Sequence, residues 1–332
     1  MSIQSILSLR ARVRSCVRQL FDRLGFLEVD TPTLSPEVLP EAHIDPIAVF
    51  LDGQSRPPHY LQASPEALMK RLLAGGAGPI YQLAQAFRAG EQSSTHDSEF
   101  TLLEWYAPET TLSDASRVLE KLCGAVLGTS GIQRLTCSQV FLKYAGVDPL
   151  TASLSALQSA GQQAGLQLPE GHADWPEEVA WDCWFEILLA EVVTPKLGRG
   201  QPTMLEAWPV SQAAFAKLDR ASPQTALRFE LFVEGVELAN GWEEETSRRV
   251  LRSRIDAANR TRIANGRESL PLPTQLLAAH RDDGPEIATS SGTKTVFMPD
   301  GVGAALGFDR LVMLAAGANS IAAVRCFRSS HA

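Results

Sequence analysis

Hydrophobic residues recur every three or four positions near the start of the chain. Val13, Val17, Leu20 and Leu24 follow this spacing, with arginines between them. Such spacing places the apolar side chains on one face of a helix. The pattern therefore predicts an amphipathic helix that ends at Gly25, because glycine readily adopts the left-handed conformation that often follows a helix.

Short runs of apolar residues between turn residues predict strands elsewhere. Such runs occupy residues 26–29, 80–84 and 100–106, and residues 228–240 alternate between apolar and polar positions. The dipeptide Glu234–Gly235 interrupts the alternating run and predicts a hairpin turn.

Helical spacing dominates the remainder of the chain. It covers residues 69–74, most of 112–197, 246–267 and 309–315. Adjacent strands with helices inserted between them predict an α+β fold on a largely antiparallel sheet. No internal repeat and no proline-rich linker divides the sequence, so we expect a single domain over residues 1–332.

The composition is typical of a folded protein of the reducing cytoplasm. Hydrophobic residues make up 45% and charged residues 20% of the 332 residues, which is enough to form a sizeable core. The five cysteines are scattered without a C-x-x-C pair, which argues against a disulfide framework and a structural zinc site. The sequence shows no secretion signal, and no apolar stretch approaches the ~20 residues that span a bilayer. The net charge of −8 gives no overall attraction to nucleic acid.

Two arginines are candidates for binding an anion such as phosphate. Arg88 ends a predicted strand ahead of the polar loop 90–98, and its planar guanidinium can donate two parallel hydrogen bonds. Arg310 follows the glycine-rich residues 301–308 at the start of a helix, where the helix dipole disfavours a cation unless an anion accompanies it. The alternatives are a surface arginine in a hairpin and a solvated arginine beside tightly packed glycines.

Two acidic residues are candidates for binding a cation. Strand alternation places Glu237 on the same face as Ala239, where a carboxylate on an apolar strand needs a cation. That cation is either Mg²⁺ shared with substrate phosphates or a neighbouring arginine. Glu66 follows a Ser64–Pro65 turn, and its plainest interpretation is an acid at the N-terminus of a helix.

Taken in order, these segments resemble the signature motifs of the class II aminoacyl-tRNA synthetases, and of the lysyl type in particular. The resemblance covers about residues 7–314. It implies a catalytic domain with an antiparallel sheet flanked by helices. The segments that carry it are residues 24–32 for the first motif, 87–88 with 96–106 for the second, 307–311 for the third, and 64–66 with 237–241 for the lysyl-type pattern between them.

The chain more closely resembles a truncated branch of this family, whose members modify elongation factor P. Its first motif begins almost at residue 1, so we expect no N-terminal anticodon-binding barrel of the kind that lysyl-tRNA synthetases carry. Residues 237–241, residues 104–106 and Ala305 also favour the truncated branch.

The resemblance implies an ATP-dependent, AMP-forming ligase that acts in two steps. The carboxylate of (R)-β-lysine, or of lysine, attacks the α-phosphate of ATP and forms an aminoacyl-adenylate. The acyl group then passes to a lysine side chain of elongation factor P. The implied cofactors are ATP and Mg²⁺. We expect a homodimer built on the first motif, with no tRNA and no membrane as partners.

The resemblance also implies roles for single residues on the ATP side of the site. Arg88 would hold the α-phosphate, and Arg310 would hold the outer phosphates or the adenine face, so both would be catalytic. Glu237 would bind Mg²⁺. The implied ATP contacts are Arg88, Ala89, Gly90, Asp97, Glu237, Leu238, Gly307 and Arg310.

On the amino acid side, the implied substrate contacts are Ser64, Pro65, Glu66, Tyr106, Glu244 and Ala305. Glu66 and Glu244 would read the amino groups of the substrate, because a buried acid left unpaired penalises substrates without an ammonium group. Ala305 would narrow the floor of the pocket and favour β-lysine over α-lysine.

The second motif departs from the family pattern in its loop. Thr95 stands where the family usually has a basic residue before His96, and Asp97 with Ser98 replaces Asn-Pro. Gly90 stands where many relatives have an acid that reads adenine, and Glu91 would substitute for it. These departures are modest, because both candidate arginines and both acids that would read the lysine remain. The polar stretch 280–296 is also longer than the family's link into the third motif.

Two rival functions remain open. A synthetase that lacks the anticodon-binding barrel could charge tRNA and bind it through the arginines of residues 246–267. The commoner explanation for such arginines is a helix face exposed to solvent. A non-catalytic, synthetase-like subunit could bind amino acid or nucleotide and regulate a partner, which the altered loop at residues 95–98 would favour. An assay of ATP–pyrophosphate exchange distinguishes the non-catalytic subunit, which would show none, from either enzyme.

Overall fold

The computed structural model describes residues 2–51, 58–167, 175–282 and 297–329. Two compact units divide the chain. The first consists of Met1–Thr111 with Glu244–Ala332, and the second of Leu112–Glu243. Each unit combines helices with largely antiparallel strands, so the predicted α+β fold is confirmed.

The helices and strands follow one another along the described residues, and short 3₁₀ and π turns connect some of them. In chain order they are α1 (Ile3–Arg23), β1 (Leu27–Glu28), β2 (Leu34–Ser35), β3 (Ile47–Val49), β4 (His59–Leu61), α2 (Glu66–Ala74), β5 (Ile80–Phe87), β6 (Glu99–Pro108), α3 (Leu112–Leu127), β7 (Gln133–Thr136), α4 (Cys137–Ala145), α5 (Leu154–Gln163), α6 (Glu177–Leu188), β8 (Thr203–Pro209), β9 (Thr225–Val233), β10 (Val236–Glu243), α7 (Arg248–Ala264), α8 (Thr274–Ala278), β11 (Gly301–Gly307) and α9 (Phe308–Ala315).

The first unit contains the sheet on which most of the candidate residues lie. β1 is parallel to β5, and β5, β6 and β11 pair antiparallel in that order. α1 packs against one face, where the ring of Phe21 stacks on Tyr81 with centroids 4.7 Å apart and meets Trp105 edge-on at 5.5 Å. Because side chains alternate along a strand, Glu104 and Tyr106 point to the opposite face.

α2 packs against this opposite face. Met69 and Leu73 from α2 form a buried apolar cluster with Ile80 and Tyr106. The cluster fixes α2 beside β6, so its first turn, with Glu66, lies next to the polar side chains of β6. A smaller antiparallel sheet, in which β4 pairs with both β2 and β3, completes the strands of this unit within the described residues.

The second unit has its own core. β10, β9 and β8 pair antiparallel in that order, and β7 lies parallel to β8. Helices α4, α5 and α6 enclose an aromatic core in which the rings of Phe141 and Phe185 stack with centroids 4.8 Å apart. α6 contributes Trp184, Phe185 and Leu188 to this core, and all three are buried.

Most of the elements predicted from hydrophobic spacing are confirmed, with shifted ends. α1 covers the predicted N-terminal helix, and Gly25 follows it with a φ of +81°. The predicted hairpin turn lies between β9 and β10, where Glu234 and Gly235 have φ values of +51° and +75°. Positive φ at both central residues gives the twist that a two-residue hairpin needs.

Six of the described strands were not predicted from the sequence: β2, β3, β4, β7, β8 and β11. β7 interrupts the region predicted to be helical, because four residues carry no readable period and β8 provides their pairing partner. β11 occupies the glycine-rich stretch, although glycine weakens strands. It pairs with β6 along its whole length, from Gly301 opposite Pro108 to Gly307 opposite Leu102. Residues 283–296 of the predicted polar loop lie outside the described residues.

The cysteines agree with the prediction that the chain has no disulfide framework. All five are free thiols. Burial raises the pKa of the Cys123 thiol to about 12, so this thiol stays protonated. No helix among the described residues is long and apolar enough to cross a membrane.

Candidate active site

A buried lysine lies between two buried carboxylates at the start of α2. Lys70 Nζ is 2.6 Å from Glu66 Oε1, one helical turn away, and 2.7 Å from Glu244 Oε2. Lys70 and Glu244 are each 2% exposed, and Glu66 is 7% exposed. Burial disfavours the ammonium form of Lys70, but the charges of Glu244 and Glu66 outweigh it and raise the pKa of Lys70 above its ordinary value. Lys70 therefore remains charged.

A third buried acid, Glu104, lies on β6 beside this group. The hydroxyl of Tyr106 donates to Glu104 Oε1 at 2.7 Å. Glu104 is 2% exposed, and its Oε2 has no hydrogen-bond partner among the described residues. Burial, followed by the charge of Glu66, raises the pKa of Glu104 to about 8. At neutral pH this carboxyl is thus mostly protonated, and one of its oxygens is available to a bound ligand.

Small residues of β11 line the same face of the sheet. Gly303 pairs opposite Tyr106, and a side chain at this position would overlap the Tyr106 ring and Glu244 Oε1. Ala305 pairs opposite Glu104. Residues directly opposite in an antiparallel pair share a face, so the methyl group of Ala305 lies on the Glu104 side of the sheet. The absence of a side chain at Gly303 therefore lets Tyr106 and Glu244 approach β11 closely, and the methyl group of Ala305 lies on the same face.

The structure brings most of the predicted amino acid pocket together. Glu66 and Glu244 meet through Lys70, and Tyr106 joins Glu104. Ser64 and Pro65 form the turn into α2, where Ser64 Oγ accepts from the Glu66 amide at 3.4 Å. The predicted pocket omitted Lys70 and Glu104. Their spacing from predicted residues could have indicated them. Lys70 is four residues after Glu66 on a helix and Glu104 is two residues before Tyr106 on a strand, and residues at these spacings face the same way.

Arg88 lies at the end of β5 and is held from several sides. Its guanidinium lies over the ring of Phe100, 5.0 Å from the centroid, and Nε donates to the carbonyl of Ala63 at 3.4 Å. Nη1 is 3.6 Å from Glu91 Oε1. Because Ala63 directly precedes the Ser64 turn into α2, Arg88 lies beside the segment that leads to the acidic pocket.

Arg310, in the first turn of α9, contacts the loop of the second motif. Its Nη2 is 2.5 Å from His96 Nε2, and its Nε donates to the carbonyl of Thr95 at 3.3 Å. A guanidinium only donates hydrogen bonds, so His96 Nε2 accepts and the ring proton is on Nδ1. Nδ1 faces Ser93 Oγ at 2.8 Å. Gly307 precedes α9, and a Cβ there would lie 3.4 Å from Arg310 Cδ.

The remaining predicted ATP contacts of the first unit lie in or before this loop. The amide of Ala89 donates to the carbonyl of Asp45 at 2.8 Å, and Gly90 has a φ of +76° that favours glycine. Asp97 is different, because its carboxylate is directed at Arg325 and Ser329. In this structure its oxygens bind other residues of the chain, and a role in ATP binding remains a prediction.

Glu237 and Leu238 lie in the second unit, on β10. The predicted alternation that put Glu237 on the same face as Ala239 is wrong, because a β-bulge shifts the register between them. Glu237 pairs opposite Phe232 and Ala239 opposite Leu231, which are neighbours on β9 and face opposite ways. The bulge adds one residue and instead places Asn240, opposite Glu230, on the face of Glu237.

The predicted Mg²⁺ ligand is Glu237. Across the described residues, no group of three or more His, Cys, Asp or Glu side chains is arranged to hold a metal ion. Mg²⁺ commonly uses one or two carboxylates together with substrate phosphates. A single carboxylate such as Glu237 fits that mode.

Comparison with known proteins gives one family. A family model described as tRNA synthetases class II (D, K and N) matches residues 1–331. A protein of Enterobacter sp. (strain 638) named elongation factor P–(R)-β-lysine ligase is 36% identical, over 100% of this chain and 97% of its own length. Proteins of the same name from Edwardsiella ictaluri (strain 93-146) and Salmonella typhi are also 36% identical, over 97% and 100% of this chain and 94% and 97% of their own lengths.

Proposed function

The chain belongs to the class II tRNA synthetases of the D, K and N group, and on that premise we propose that it activates (R)-β-lysine with ATP and transfers it to a lysine side chain of elongation factor P. The observation that carries the proposal is a buried cluster in which the Lys70 ammonium bridges Glu66 and Glu244, and a third buried acid, Glu104, lies close enough to feel their charges. This excess of acids suits a substrate with more than one amino group. The names of the similar proteins support the same activity.

The acidic pocket provides the recognition of the amino acid. An ammonium group of the substrate would donate to Glu104 Oε2, which is buried and without a hydrogen-bond partner among the described residues. Glu66 and Glu244, which are bridged by Lys70, would bind the other amino group. Substrates without these ammonium groups would leave buried acids unsatisfied, and they are therefore discriminated against.

The arginines provide the chemistry of activation. A carboxylate oxygen of the amino acid attacks the α-phosphorus of ATP, the bond to the bridging oxygen breaks, and pyrophosphate leaves. Arg88, fixed over Phe100, would bind the α-phosphate and stabilise the charge that builds on it in the transition state. Arg310 would bind the outer phosphates or the adenine face. No side chain needs to act as a nucleophile.

Glu237 would hold Mg²⁺ together with the phosphates, and the ion would offset part of their charge when bound. In the second step, the ε-amino group of the acceptor lysine attacks the carbonyl carbon of the adenylate. An amide bond forms, the bond to the phosphate oxygen breaks, and AMP leaves.

The proposal includes a homodimer of single catalytic domains that acts in the cytoplasm. Leu27 on β1, within the segment that resembles the first motif, is an exposed apolar side chain, as is Leu7 on α1, and both support the dimer. Sedimentation at micromolar concentration tests this part, and a monomer would contradict it.

The internal contacts of α7 weaken the tRNA-charging alternative. Arg248 donates to the carbonyls of Leu277 and His280, and Arg262 donates to the carbonyls of Ile44 and Glu268. These arginines therefore hold the fold together, and the basic face available to a nucleic acid is smaller than the sequence indicates.

ATP–pyrophosphate exchange tests the activation step. We expect exchange with β-lysine or lysine, and we expect Arg88→Ala to abolish it while the circular dichroism spectrum stays unchanged. Arg88→Lys keeps the positive charge but cannot donate two parallel hydrogen bonds to a phosphate, so it should retain only part of the activity. Absence of exchange with every lysine isomer would favour the non-catalytic alternative.

A further inference from the structure

The loop of the second motif follows directly after Arg88 and carries no further arginine or lysine. Residues 89–98, which we call the second-motif loop, contain no lysine and no arginine, and they include the acids Glu91 and Asp97. A loop proposed to approach the phosphates of ATP is thus acidic. The cations that contact it come from residues far away in the sequence.

Asp97 is the centre of these contacts. It is 1% exposed, and it accepts from Arg325 Nη1 at 3.1 Å, from the amide of Ser329 at 3.2 Å and from Ser329 Oγ. Arg328 Nε lies 3.5 Å away. Burial disfavours the charge, but the hydrogen bonds from Ser329 and the charge of Arg325 outweigh it and lower the pKa of Asp97. A buried carboxylate of this kind requires such partners.

Arg328 also binds the loop through its backbone. Its Nη2 donates to the carbonyl of Ser93 at 3.0 Å and to the carbonyl of His96 at 2.9 Å. One guanidinium therefore spans the turn of the loop from both ends. Arg325 continues the contact into β6, where its Nη1 donates to the carbonyl of Glu99 at 2.6 Å.

Ser94, in the same turn, is bound from the same segment. Its carbonyl accepts from the amide of Ile321 at 2.9 Å and from Ser320 Oγ at 3.1 Å. The residues that bind the loop form one group, which we call the clamp: Ser320, Ile321, Arg325, Arg328 and Ser329.

The clamp adjoins the proposed ATP-binding arginine. Thr95 and His96, which contact Arg310, lie between the clamped residues Ser94 and Asp97. Any shift of the turn would therefore move the imidazole that lies against the Arg310 guanidinium. The clamp and Arg310 therefore contact the same short turn.

We propose that Arg325 and Arg328 are positioning residues that hold the second-motif loop against Arg310 in the arrangement that binds ATP. The inference rests on the proposed function, because it assigns the loop to ATP. The reason is geometric: the side chains of Arg325 and Arg328 bind Asp97 and the carbonyls of Ser93 and His96, on either side of the residues that contact Arg310.

The test is the affinity of the full chain for ATP, measured by calorimetry, together with the KM values for ATP and amino acid in pyrophosphate exchange. Arg328→Ala should raise the Kd and the KM for ATP by about tenfold or more, while the KM for the amino acid changes much less. Arg328→Lys should not restore the affinity, because one ammonium cannot span both carbonyls and Asp97. The control is Arg117→Ala, an exposed arginine of α3 paired with Asp114 in the second unit.

The possible results separate the clamp from the proposed function. Unchanged ATP affinity in Arg328→Ala, or full rescue by Arg328→Lys, would overturn the positioning role. If Arg328→Ala fails to fold, the isosteric Asp97→Asn tests the same contacts and should weaken ATP binding several-fold. A parent chain that binds ATP but exchanges no pyrophosphate with any lysine isomer would contradict the proposed function and would leave the clamp to be decided by ATP affinity.

Discussion

Lys70 and Glu244 form a fully buried ion pair, with Nζ 2.7 Å from Oε2, although the two residues come from distant parts of the chain. Glu66 shares the same ammonium at 2.6 Å. The pair joins α2 to the segment that follows β10, and it sets the charge of the amino acid pocket. Lys70 compensates one of the acids, so the pocket is acidic without being strongly self-repelling.

Removing the ammonium should destabilise the fold. Lys70→Met leaves two adjacent buried carboxylates without their cation, and we expect a loss of about 3–5 kcal/mol in the free energy of unfolding. Urea denaturation measures it. The double variant Lys70→Met with Glu244→Gln should recover part of the loss, because it removes one of the uncompensated charges. A loss below about 1 kcal/mol in the single variant would mean that the pair contributes little.

Glu244 should affect amino acid binding far more than ATP binding. Glu244→Gln keeps the shape of the side chain and removes its charge, so a charged hydrogen bond to the substrate ammonium is lost. We expect the KM for lysine or β-lysine in pyrophosphate exchange to rise about tenfold to hundredfold. The KM for ATP should change little. Equal losses for both ligands would indicate a structural role through Lys70.

Glu104 should make amino acid binding depend on pH. Its pKa is raised to about 8, so at pH 7 it is mostly protonated, while an ammonium ligand binds best to the ionised form. Binding should therefore release a proton, and affinity should rise between pH 7 and 8, by up to about tenfold per pH unit below the pKa. Glu66, Lys70 and Glu244 are the ionisable groups whose charges act on Glu104, together with the hydrogen bond from Tyr106.

Calorimetry in buffers of different ionisation enthalpy measures the released proton. Glu104→Gln should abolish both the release and the pH dependence. Proton uptake on binding, or an unchanged pH profile in Glu104→Gln, would contradict the assignment.

Ala305 should influence the choice between lysine isomers. Its methyl group lies on the Glu104 side of the sheet, opposite Glu104 in the β6–β11 pairing. α-Lysine carries an amino group next to the carboxylate, whereas β-lysine carries it one carbon further along. A methyl group close to the substrate should therefore disfavour the α isomer by about 1–3 kcal/mol.

The variant Ala305→Gly removes that methyl group and should raise activity with α-lysine relative to β-lysine. Pyrophosphate exchange with each isomer gives the ratio. If the ratio equals that of the parent, Ala305 only packs against its neighbours and the preference is set elsewhere.

The local elements were predictable because their signals are local. The spacing of Val13, Val17 and Leu20 is enough to define α1, and Glu234–Gly235 is enough to define the hairpin. The order of short motifs identified the family, which the match over residues 1–331 confirms. The acids Glu66 and Glu244 were predicted as substrate contacts, and the structure places them around a common ammonium.

What the sequence did not reveal depends on pairing between distant segments. The strand β11 forms in spite of its glycines because β6 supplies its hydrogen bonds. The bulge that separates Glu237 from Ala239 is visible only from the register with β9. Lys70 resembles a surface lysine in the sequence, and only the arrival of Glu244 explains its burial. Likewise, nothing near Asp97 in the sequence indicates Arg325 as its partner.

The transfer step tests the central proposal most directly. Labelled (R)-β-lysine would be mixed with ATP and the full chain, and offered to elongation factor P and to tRNA side by side. We expect label on elongation factor P that depends on ATP, stays with the protein through acid precipitation, survives mild alkaline hydrolysis as an amide does, and is absent from tRNA. Label on tRNA alone, or adenylate formation without transfer to elongation factor P, would contradict it.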